Sequence, residues 1–242
     1  MILAAGLGTR LHSLTNDKPK ALVELCGKPM LEWLILRLKK FGFNEIIINT
    51  HHFADQIHSF LKGKHNFDIR IEISREAELL DTGGGIKNAG WFFDDDRPFL
   101  VHNVDVLTTL DYTKMMAAHI QEKALATLAV RKRETSRYFL FNKQDLLCGW
   151  QSTKTNERRL VRDKNQETHR RSFMGIHILS ADIFKYIKTE RAFSIIDTYL
   201  QLAKTHAIKA YEADRYHWID LGRKENLIQA ELQFQDIFNR NE

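Results

Sequence analysis

Hydrophobic residues in the first half of the chain alternate between short continuous runs and helical spacing. Three apolar runs are typical of strands buried on both faces: residues 1–5, 45–49 and 98–102. Segments 29–41 and 53–61 instead carry apolar residues at helical spacing, and Pro29 and Gly42 stand where the first of these helices should begin and end. Residues 69–73 alternate as a shorter strand does. This order predicts an α/β fold with a parallel sheet and helices on both sides.

The pattern in the second half predicts further helices and a larger share of strands. The predicted helices are 111–123 with Asp111 as its N-cap, 182–187 capped by Ser180, 193–203 and 223–238. The predicted strands are 124–130, 172–179 and 207–211, with a hairpin of 138–141 and 146–150 around Asn142-Lys143. Polar residues 154–171 are expected to form a mobile loop or an irregular sheet edge. Their arginines are expected to be solvated, with sugar-acid binding by one of them left open: Arg158, Arg159, Arg162, Arg170 and Arg171.

Composition indicates an ordinary globular protein. The chain has 242 residues, of which 43% are hydrophobic and 28% charged, enough for one large α/β domain or two small ones. No apolar run approaches the roughly 20 residues of a membrane span, and no signal peptide is predicted. Cys26 and Cys148 are too few for a disulfide framework and are not spaced as metal ligands. These features predict a cytoplasmic, reduced protein without membrane association.

The net charge of +5 leaves two interpretations open. Basic residues are concentrated in the second half of the chain, which could indicate a nucleic-acid surface. No stacking aromatics are interleaved with them, however, and acidic residues are nearly as numerous, 31 against 36. A basic bias equally suits an enzyme whose substrates are phosphorylated anions. The sequence therefore favours small anionic partners and predicts no nucleic-acid binding.

The first apolar run ends in a loop of small residues. Gly6 and Gly8 allow backbone N–H groups to face a ligand, and Arg10 and Lys20 add two cations just beyond. Exposed backbone donors beside fixed cations suit a polyphosphate. The loop is neither a dinucleotide fingerprint, since Leu11 replaces the third glycine, nor a P-loop, since no Gly-Lys pair fits that motif. On these residues alone, an ordinary strand-to-loop turn remains an equal alternative.

Two carboxylates and two glycine positions are further candidates for chemistry. Asp105 follows an apolar strand of the predicted parallel sheet, where ligands bind, although an Asp can also cap the next turn. Asp220 alternates with two apolar neighbours and can face a ligand while they face the core; the alternative is a cap of the last helix. The glycines at 83–85 predict either a hinge or helix entry, or close backbone approach to a ligand. Gly175 interrupts a strand, and a glycine there indicates either close packing against another backbone or contact with a ligand.

Three linked segments near the N-terminus resemble one enzyme family. L-A-A-G-x-G-T-R-L at 3–11, K-P-K-A-L at 18–22 and G-K-P-M-L-E at 27–32 are similar to the signature of the sugar-1-phosphate nucleotidyltransferases, the nucleoside-diphosphate-sugar pyrophosphorylases. Further similar segments are L-x-T-G-G-G-I at 80–86, N-x-D at 103–105, F-x-G-I-x-x-L at 173–179 and W-x-D-L-G at 218–222. Val104 departs from the family's usual glycine, so the local loop geometry is expected to differ slightly.

The resemblance covers nearly the whole chain and implies both a fold and an organisation. The implied fold is a Rossmann-like three-layer α/β/α nucleotidyltransferase fold, with a mixed, mostly parallel sheet and a small β-rich sugar-binding portion. It implies a single domain, with a nucleotide-binding half at about 1–130. The sugar-binding half, at about 131–242, would carry the second metal ligand.

The resemblance also implies a reaction and roles for individual residues. A sugar 1-phosphate attacks the α-phosphate of a nucleoside triphosphate and pyrophosphate leaves, with Mg²⁺ held by Asp105 and Asp220. The implied catalytic residues are Arg10, which stabilises pyrophosphate, Lys20, which meets a phosphate, and Asp105. The implied nucleotide-binding residues are Leu3, Ala4, Ala5, Gly6, Gly8, Thr9, Arg10, Lys20, Glu76 and Gly83. The implied sugar-binding residues are Thr82, Gly84, Asn103 and Gly175.

The substrate pair stays open at this stage. The short length and the segment N-T-H-H-F-A-D-Q-I at 49–57 look most like small N-acetylmuramate-1-phosphate uridylyltransferases of cell-wall recycling, which use UTP. Guanylyltransferases that use GTP with mannose- or heptose-1-phosphate look similar at this length. A non-catalytic nucleotide-binding module would be expected to lose Lys20, Asp105 or Asp220, and all three are present. The expected state is a monomer or a homodimer.

Overall fold

The computed structural model describes residues 1–163, 167–188 and 191–237, the last five through the backbone alone. Its α-helices are α1 (Met30–Lys40), α2 (Ala54–Gly63), α3 (Asp81–Asn88), α4 (Tyr112–Gln121), α5 (Ile195–Leu202) and α6 (Lys224–Ile237). Its strands are β1 (Ile2–Leu3), β2 (Glu24–Leu25), β3 (Lys28–Pro29), β4 (Glu45–Thr50), β5 (Arg70–Arg75), β6 (Phe99–Asn103), β7 (Val106–Thr108), β8 (Ala126–Arg131), β9 (Arg137–Phe141), β10 (Leu147–Ser152), β11 (Arg158–Leu160), β12 (His169–Leu179), β13 (Ile208–Glu212) and β14 (Trp218–Asp220). Short 3-10 helices occupy Thr9–Thr15, Lys20–Leu22, His65–Asp68, Gly90–Phe92 and Ala181–Lys185.

The described chain forms two compact units that interleave along the sequence. Unit 1 contains Met1–Leu80, His102–Leu110 and the described residues from Tyr216 onward, whereas unit 2 contains Asp81–Val101 and Asp111–Arg215. The expected single domain, with halves at about 1–130 and 131–242, stays a prediction. No helix in the described ranges is long and apolar enough to cross a bilayer.

Unit 1 contains the parallel sheet that the sequence predicts. Its strands β1, β4, β5 and the end of β6 run parallel, in the order β6-β1-β4-β5. Residues 46–48 in β4 are almost completely buried, because their β-branched side chains fill the sheet interior. Helix α1 presents a buried apolar face, and Gly42 follows its end at φ +82°. The predicted binding loop begins at the carboxyl end of β1.

A separate apolar cluster holds that loop in place. Leu11 is completely buried there with residues from β2, α1 and the C-terminal helix. The other buried members are Val23, Leu25, Met30, Leu221, Leu227 and Ala230. The loop is not wholly irregular, because Thr9–Thr15 forms 3-10 turns with a kink at His12. Burial of Leu11 therefore fixes the position of Arg10 beside it.

Unit 2 is rich in strands, as the second half of the sequence predicts. Its sheet runs in the order β11-β10-β9-β12-β8-β13. The pairs are antiparallel except β13 with β8, which is parallel. The hairpin of β9 and β10 is confirmed, and so is the cap of α4, where Asp111 accepts a hydrogen bond from the Lys114 backbone N–H. The predicted last helix is confirmed as α6; its predicted end, Phe238, lies outside the described residues.

Two local predictions were wrong, and a third is only partly right. The region 154–171, expected to be a mobile loop or an irregular sheet edge, contains the edge strand β11 and the start of β12, with 164–166 outside the described residues. Its arginines are not all solvated: Arg159 bonds Asp197 at 2.7 Å, Arg162 donates to two carbonyls and Arg171 pairs with Glu212. Ser180 makes no side-chain cap and donates instead to the Ala124 carbonyl, at 2.9 Å. The glycines at 83–85 lie in the first turns of helix α3, which agrees with the helix-entry interpretation.

Candidate active site

Gly8 allows the binding loop to close over Lys20. Its φ is +67°, and a Cβ there would lie 2.9 Å from Thr15 Cγ2 and 3.1 Å from Lys20 Cβ. The Gly8 carbonyl accepts hydrogen bonds from the Leu11 backbone N–H and the Thr15 hydroxyl. Both the left-handed backbone and the close packing require glycine.

The loop is open around Gly6. Gly6 is exposed, and a Cβ there would meet no atom within 4 Å. Ala4 and Ala5 before it are buried, and Leu7 after it is 45% exposed. Thr9 and Arg10 are exposed as well. A ligand can therefore approach the backbone at Gly6 without displacing a side chain of the loop.

A short antiparallel ladder brings Asp105 and Asp220 together. Strands β7 and β14 pair so that Asp220 lies opposite Val106, and the Leu221 N–H donates to the Asp105 carbonyl at 2.7 Å. Leu221 and Ile219 belong to the apolar cluster around Leu11. The alternation predicted for this strand, with Asp220 opposite its apolar neighbours, fits this arrangement.

Val104, the departure from the family pattern, is accommodated by the core. Its side chain is 4% exposed and lines a small internal gap with residues of β2 and α1. Its backbone N–H donates to the Leu3 carbonyl at 3.1 Å. The branched side chain therefore adds to the core and leaves the ladder with β1 intact.

Arg10, Asp105 and Asp220 meet around Gly222. A Cβ on Gly222 would lie 2.8 Å from Asp220 Oδ1, 2.9 Å from Arg10 Nη2 and 3.0 Å from Asp105 Oδ2. The Gly222 N–H also donates to Asp220 Oδ1, at 2.8 Å. Sequence reasoning missed Gly222, although it ends the W-x-D-L-G segment. Its missing side chain leaves a small space bounded by two carboxylates and a guanidinium.

Lys20 pairs with Asp105 at the same place. The Lys20 ammonium bonds Asp105 Oδ2, and the two side chains are only 11% and 13% exposed. The site thus combines two cations with two carboxylates, and the Lys20–Asp105 pair is largely shielded from solvent. Mg²⁺ prefers oxygen ligands and commonly takes one or two carboxylates. Asp105 and Asp220, whose carboxylate oxygens converge beside Gly222, fit that requirement.

Asn103 ends β6 and Glu76 follows β5, two strands that β1 and β4 separate in the sheet. Asn103 ends β6 beside Leu3 of β1, and Asn49 of β4 lies on the other side of Leu3. Asn49 accepts a hydrogen bond from the Ala4 N–H, at 2.8 Å, and donates to Glu76 at 2.6 Å. Glu76 is 3% exposed. The carboxylate expected to bind a nucleotide is therefore buried, and Asn49 is a neighbour that sequence reasoning missed.

The remaining candidates lie in unit 2. At the start of α3, Gly83 and Gly84 donate their N–H groups to the Phe193 carbonyl, at 2.9 and 3.4 Å. Thr82 Oγ1 accepts the Ile195 N–H at 3.1 Å, and a Cβ on Gly83 would overlap the Phe193 ring. The close approach that these glycines permit is thus made by residues of the chain itself.

Gly175 stands at an irregularity of strand β12. Its φ is +75°, and the register with β8 shifts between Phe173 and His177. A glycine with positive φ at such a shift is typical of a β-bulge. Beyond it, His177 and Tyr199 are buried and hydrogen-bonded to each other, and burial raises the pKa of the tyrosine hydroxyl. The glycine therefore serves the geometry of the strand.

Another group of possible metal ligands lies in unit 2. Ligand atoms of Asp145, His169 and Glu212 lie within 4.8 Å of one another. Arg171 pairs with Glu212, and burial together with Arg171 lowers the pKa of His169. A cation bound there would have to compete with the Arg171 guanidinium for Glu212.

Comparisons with known proteins give a consistent family. The Nucleotidyl transferase family matches residues 1–237. N-acetylmuramate alpha-1-phosphate uridylyltransferase of Neisseria meningitidis serogroup B is 44% identical over 114 residues, 47% of this chain and 49% of that protein. D-glycero-alpha-D-manno-heptose 1-phosphate guanylyltransferase of Aneurinibacillus thermoaerophilus is 28% identical over 241 residues, 97% of each chain.

A solved structure extends the likeness to three dimensions. HddC from Yersinia pseudotuberculosis, complexed with GMP-PN, superposes with a TM-score of 0.78 at 26% identity, over 96% of this chain and 97% of that one. The expected α/β nucleotidyltransferase fold, with its mixed sheet and helices, is confirmed. The chain spans between 44% and 61% of the length of three curated relatives that it matches. Because the family match covers every described residue, this chain belongs to the Nucleotidyl transferase family.

Proposed function

We propose that this protein transfers a nucleotidyl group from a nucleoside triphosphate to a sugar 1-phosphate and releases pyrophosphate. The observation that carries the proposal is the meeting of Arg10, Asp105 and Asp220 around Gly222, with Lys20 paired to Asp105. Cations and metal-type carboxylates in one small space are what phosphoryl chemistry requires. Relatives with this activity in their names support the same conclusion.

The residues of the site can divide the reaction between them. A phosphate oxygen of the sugar 1-phosphate forms a bond to the α-phosphorus, and the bond from that phosphorus to the bridging oxygen of pyrophosphate breaks. The attacking phosphate is ionised near neutral pH, so no general base is needed. The backbone at Gly6 and Gly8 would hold the triphosphate, Arg10 would stabilise the leaving pyrophosphate, and Lys20 would orient a reacting phosphate.

We propose Mg²⁺ as the cofactor, held by Asp105 and Asp220. When bound, Mg²⁺ supplies charge neutralisation to phosphate oxygens. The two carboxylates also balance the charges of Arg10 and Lys20 while no substrate is bound. The proposed sugar-binding residues remain Thr82, Gly84, Asn103 and Gly175. Gly83 remains a proposed nucleotide contact.

Within this class, we propose UTP with N-acetylmuramate 1-phosphate, or a related hexose 1-phosphate, as the substrates. The Neisseria relative supports this pair, because its identity is the higher of the two curated relatives described. A guanylyltransferase acting on mannose- or heptose-1-phosphate is the second candidate. The heptose relative and the GMP-PN complex of HddC favour it, since both cover nearly the whole chain.

A matrix of substrates tests both candidates. UTP, GTP, CTP, dTTP and ATP are each combined with N-acetylmuramate, N-acetylglucosamine, glucose, mannose and heptose 1-phosphates and Mg²⁺, and pyrophosphate release is measured. Release with UTP and N-acetylmuramate 1-phosphate is expected. Highest turnover with GTP would select the guanylyltransferase, and no release from any combination would refute the proposed activity.

Asp105→Asn tests the site itself. The amide keeps the shape of the carboxylate but loses its charge, so turnover should fall roughly 10²- to 10³-fold. Asp111→Asn is the matched control, because Asn also caps helices well and Asp111 belongs to the N-terminus of α4. Near-normal turnover by Asp105→Asn would contradict the metal assignment.

A further inference from the structure

Asn49 and Glu76 form a buried polar pair at the ends of three parallel strands. Each residue is 3% exposed. Asn49 Oδ1 accepts the Ala4 N–H at 2.8 Å, and Asn49 Nδ2 donates to Glu76 Oε1 at 2.6 Å. The other oxygen of Glu76 accepts the Leu80 N–H at 3.0 Å. Each polar atom of the two side chains therefore has a protein partner.

The hydrogen bond between Asn49 and Glu76 fixes which way the Asn49 amide points. A carboxylate only accepts hydrogen bonds, so Glu76 holds the NH₂ group of Asn49 toward itself. The Asn49 oxygen is thereby left facing the Ala4 N–H. Glu76 itself is fixed by its backbone, since its N–H donates to the Thr50 carbonyl at 2.7 Å and its carbonyl lies 3.0 Å from His51 Nδ1. Glu76 thus acts on Ala4 through Asn49.

Ala4 is the residue at which the chain leaves the sheet. Strand β1 contains only Ile2 and Leu3, and the open loop begins at Gly6. The bond from Ala4 to Asn49 extends the ladder between β1 and β4 by one step beyond Leu3. It therefore determines the direction in which the next peptide groups point. Burying the Glu76 carboxylate costs free energy, and apolar side chains could hold the short strand β1 in place without that cost. A role beyond holding the strand would account for the polar pair.

We propose that Asn49 and Glu76 are positioning residues for the nucleotide, which set the orientation of the backbone N–H groups from Ala4 to Gly6. The inference rests on the proposed function, because it takes the loop at Gly6 to be where the triphosphate binds. The polar atoms of both side chains are paired within the protein, so the proposed effect on the nucleotide passes through the backbone. Their effect should appear in nucleotide affinity and leave the affinity for the sugar 1-phosphate unchanged.

Reversing the hydrogen bond tests the proposal. Asn49→Asp places two carboxylates face to face. In Glu76→Gln, the new NH₂ group must face either the NH₂ group of Asn49 or the Leu80 N–H, and in both cases two donors oppose each other. In the double variant, the new amide at position 76 can donate to the new carboxylate at position 49 and still accept the Leu80 N–H, while that carboxylate accepts the Ala4 N–H. Each single variant should raise KM for the nucleotide roughly tenfold or more. The double variant should recover most of the loss, with KM for the sugar 1-phosphate constant throughout.

Hydrogen–deuterium exchange at the Ala4 amide gives a readout independent of turnover. Both single variants should speed its exchange, and the double variant should slow it again. Exposed Asn44→Asp and Glu24→Gln are matched controls that should change neither exchange nor KM. If the wild-type protein turns over no substrate pair, the proposed function fails, whereas Ala4 exchange still decides the hydrogen-bond reversal. A double variant as impaired as the singles, or a loss of thermal stability with unchanged nucleotide KM, would overturn the positioning role.

Discussion

At the scale of single residues, the ion pair of Lys20 with Asp105 places a cation where a metal ion would also bind. Both side chains are nearly buried, so their charges are weakly screened. A divalent cation at the proposed site would therefore compete with the Lys20 ammonium for the same carboxylate. The lysine released by that competition would be available to a phosphate.

Lys20→Met should strengthen metal binding while it removes activity. Without the ammonium, Asp105 keeps an uncompensated charge, so affinity for Mn²⁺ in the absence of substrates should rise roughly tenfold. Turnover should fall about 10²- to 10³-fold, because a phosphate contact is lost. Titration with Mn²⁺ followed by electron paramagnetic resonance measures the first effect. Lys18→Met, two residues away, is the control, and unchanged or weaker Mn²⁺ binding by Lys20→Met would contradict the competition.

Gly222→Ala should damage the proposed metal site without unfolding the protein. The added methyl would press on Asp220, Arg10 and Asp105, all at side-chain ends that can rotate away. Displaced carboxylates should weaken Mn²⁺ binding roughly 10- to 100-fold, with little change in Tm. The control is Gly63→Ala, at the end of α2, where a Cβ meets no atom within 4 Å. Normal Mn²⁺ affinity in Gly222→Ala would show that the metal ion does not bind in the space beside Gly222.

Residue-level prediction from the sequence succeeded where a residue stands at the end of an apolar run. Asp105 and Asp220 could each be placed at a strand end, although their proximity could not be derived. That proximity depends on the ladder of β7 with β14, two strands of three residues that are too short to show periodicity. Gly222 and Asn49 were missed for a related reason, because their partners lie far away in the sequence.

At the scale of elements, helix α3 shows why three glycines can occupy a helix. Each glycine costs about 1 kcal/mol relative to alanine in a helix interior. Gly83 offsets that cost by letting the Phe193 ring pack directly on the helix, while the Phe193 carbonyl accepts N–H groups at the helix start. The sequence pattern alone could not distinguish this packing from ligand contact, since both require a bare backbone.

Gly83→Ala should destabilise the protein although alanine favours helices. The Cβ would overlap the Phe193 ring, an overpacking that typically costs about 1–3 kcal/mol. Combining it with Phe193→Ala removes the overlap, so the two effects on the free energy of unfolding should not add. Urea unfolding of the four proteins measures this coupling. Additive effects would mean that the ring does not pack on Gly83 in solution.

Prediction at the element scale was strongest for long, periodic segments. Helices α1, α2 and α4 and strands β4 and β6 agree with the predicted segments within a few residues, because each buries a continuous apolar face. For the region 154–171 the sequence left a loop and a sheet edge open, because its strands are held by arginine contacts and edge pairing. Polar side chains give no periodic signal for that kind of stabilisation.

At the scale of the whole molecule, buried histidines make stability depend on pH. Burial lowers the pKa of His102 from 6.5 to about 3 and that of His119 to about 4. His119 is held neutral between Thr127 and Ser180, at 2.9 and 3.3 Å. Since each histidine takes up a proton more readily when unfolded, the stability present above about pH 6.5 is lost as the pH falls toward these values.

His119→Gln should flatten the acid side of the stability profile. Between about pH 6 and pH 4.5, the slope of the unfolding free energy should decrease by up to about 1.4 kcal/mol per pH unit, because one proton fewer is taken up on unfolding. Urea denaturation at half-unit pH intervals measures the slope. His58→Gln, at an exposed position, is the comparison. An unchanged slope in His119→Gln would mean that His119 does not contribute to acid sensitivity.

The apolar cluster around Leu11 joins the beginning of the chain to its far end. Leu11 follows the glycine loop directly, whereas Leu227 and Ala230 of the same cluster belong to the last helix. During synthesis on the ribosome, the loop therefore emerges well before its packing partners in the last described helix. The segment that carries the most recognisable motif thus cannot complete its packing until the residues of the last described helix have been made.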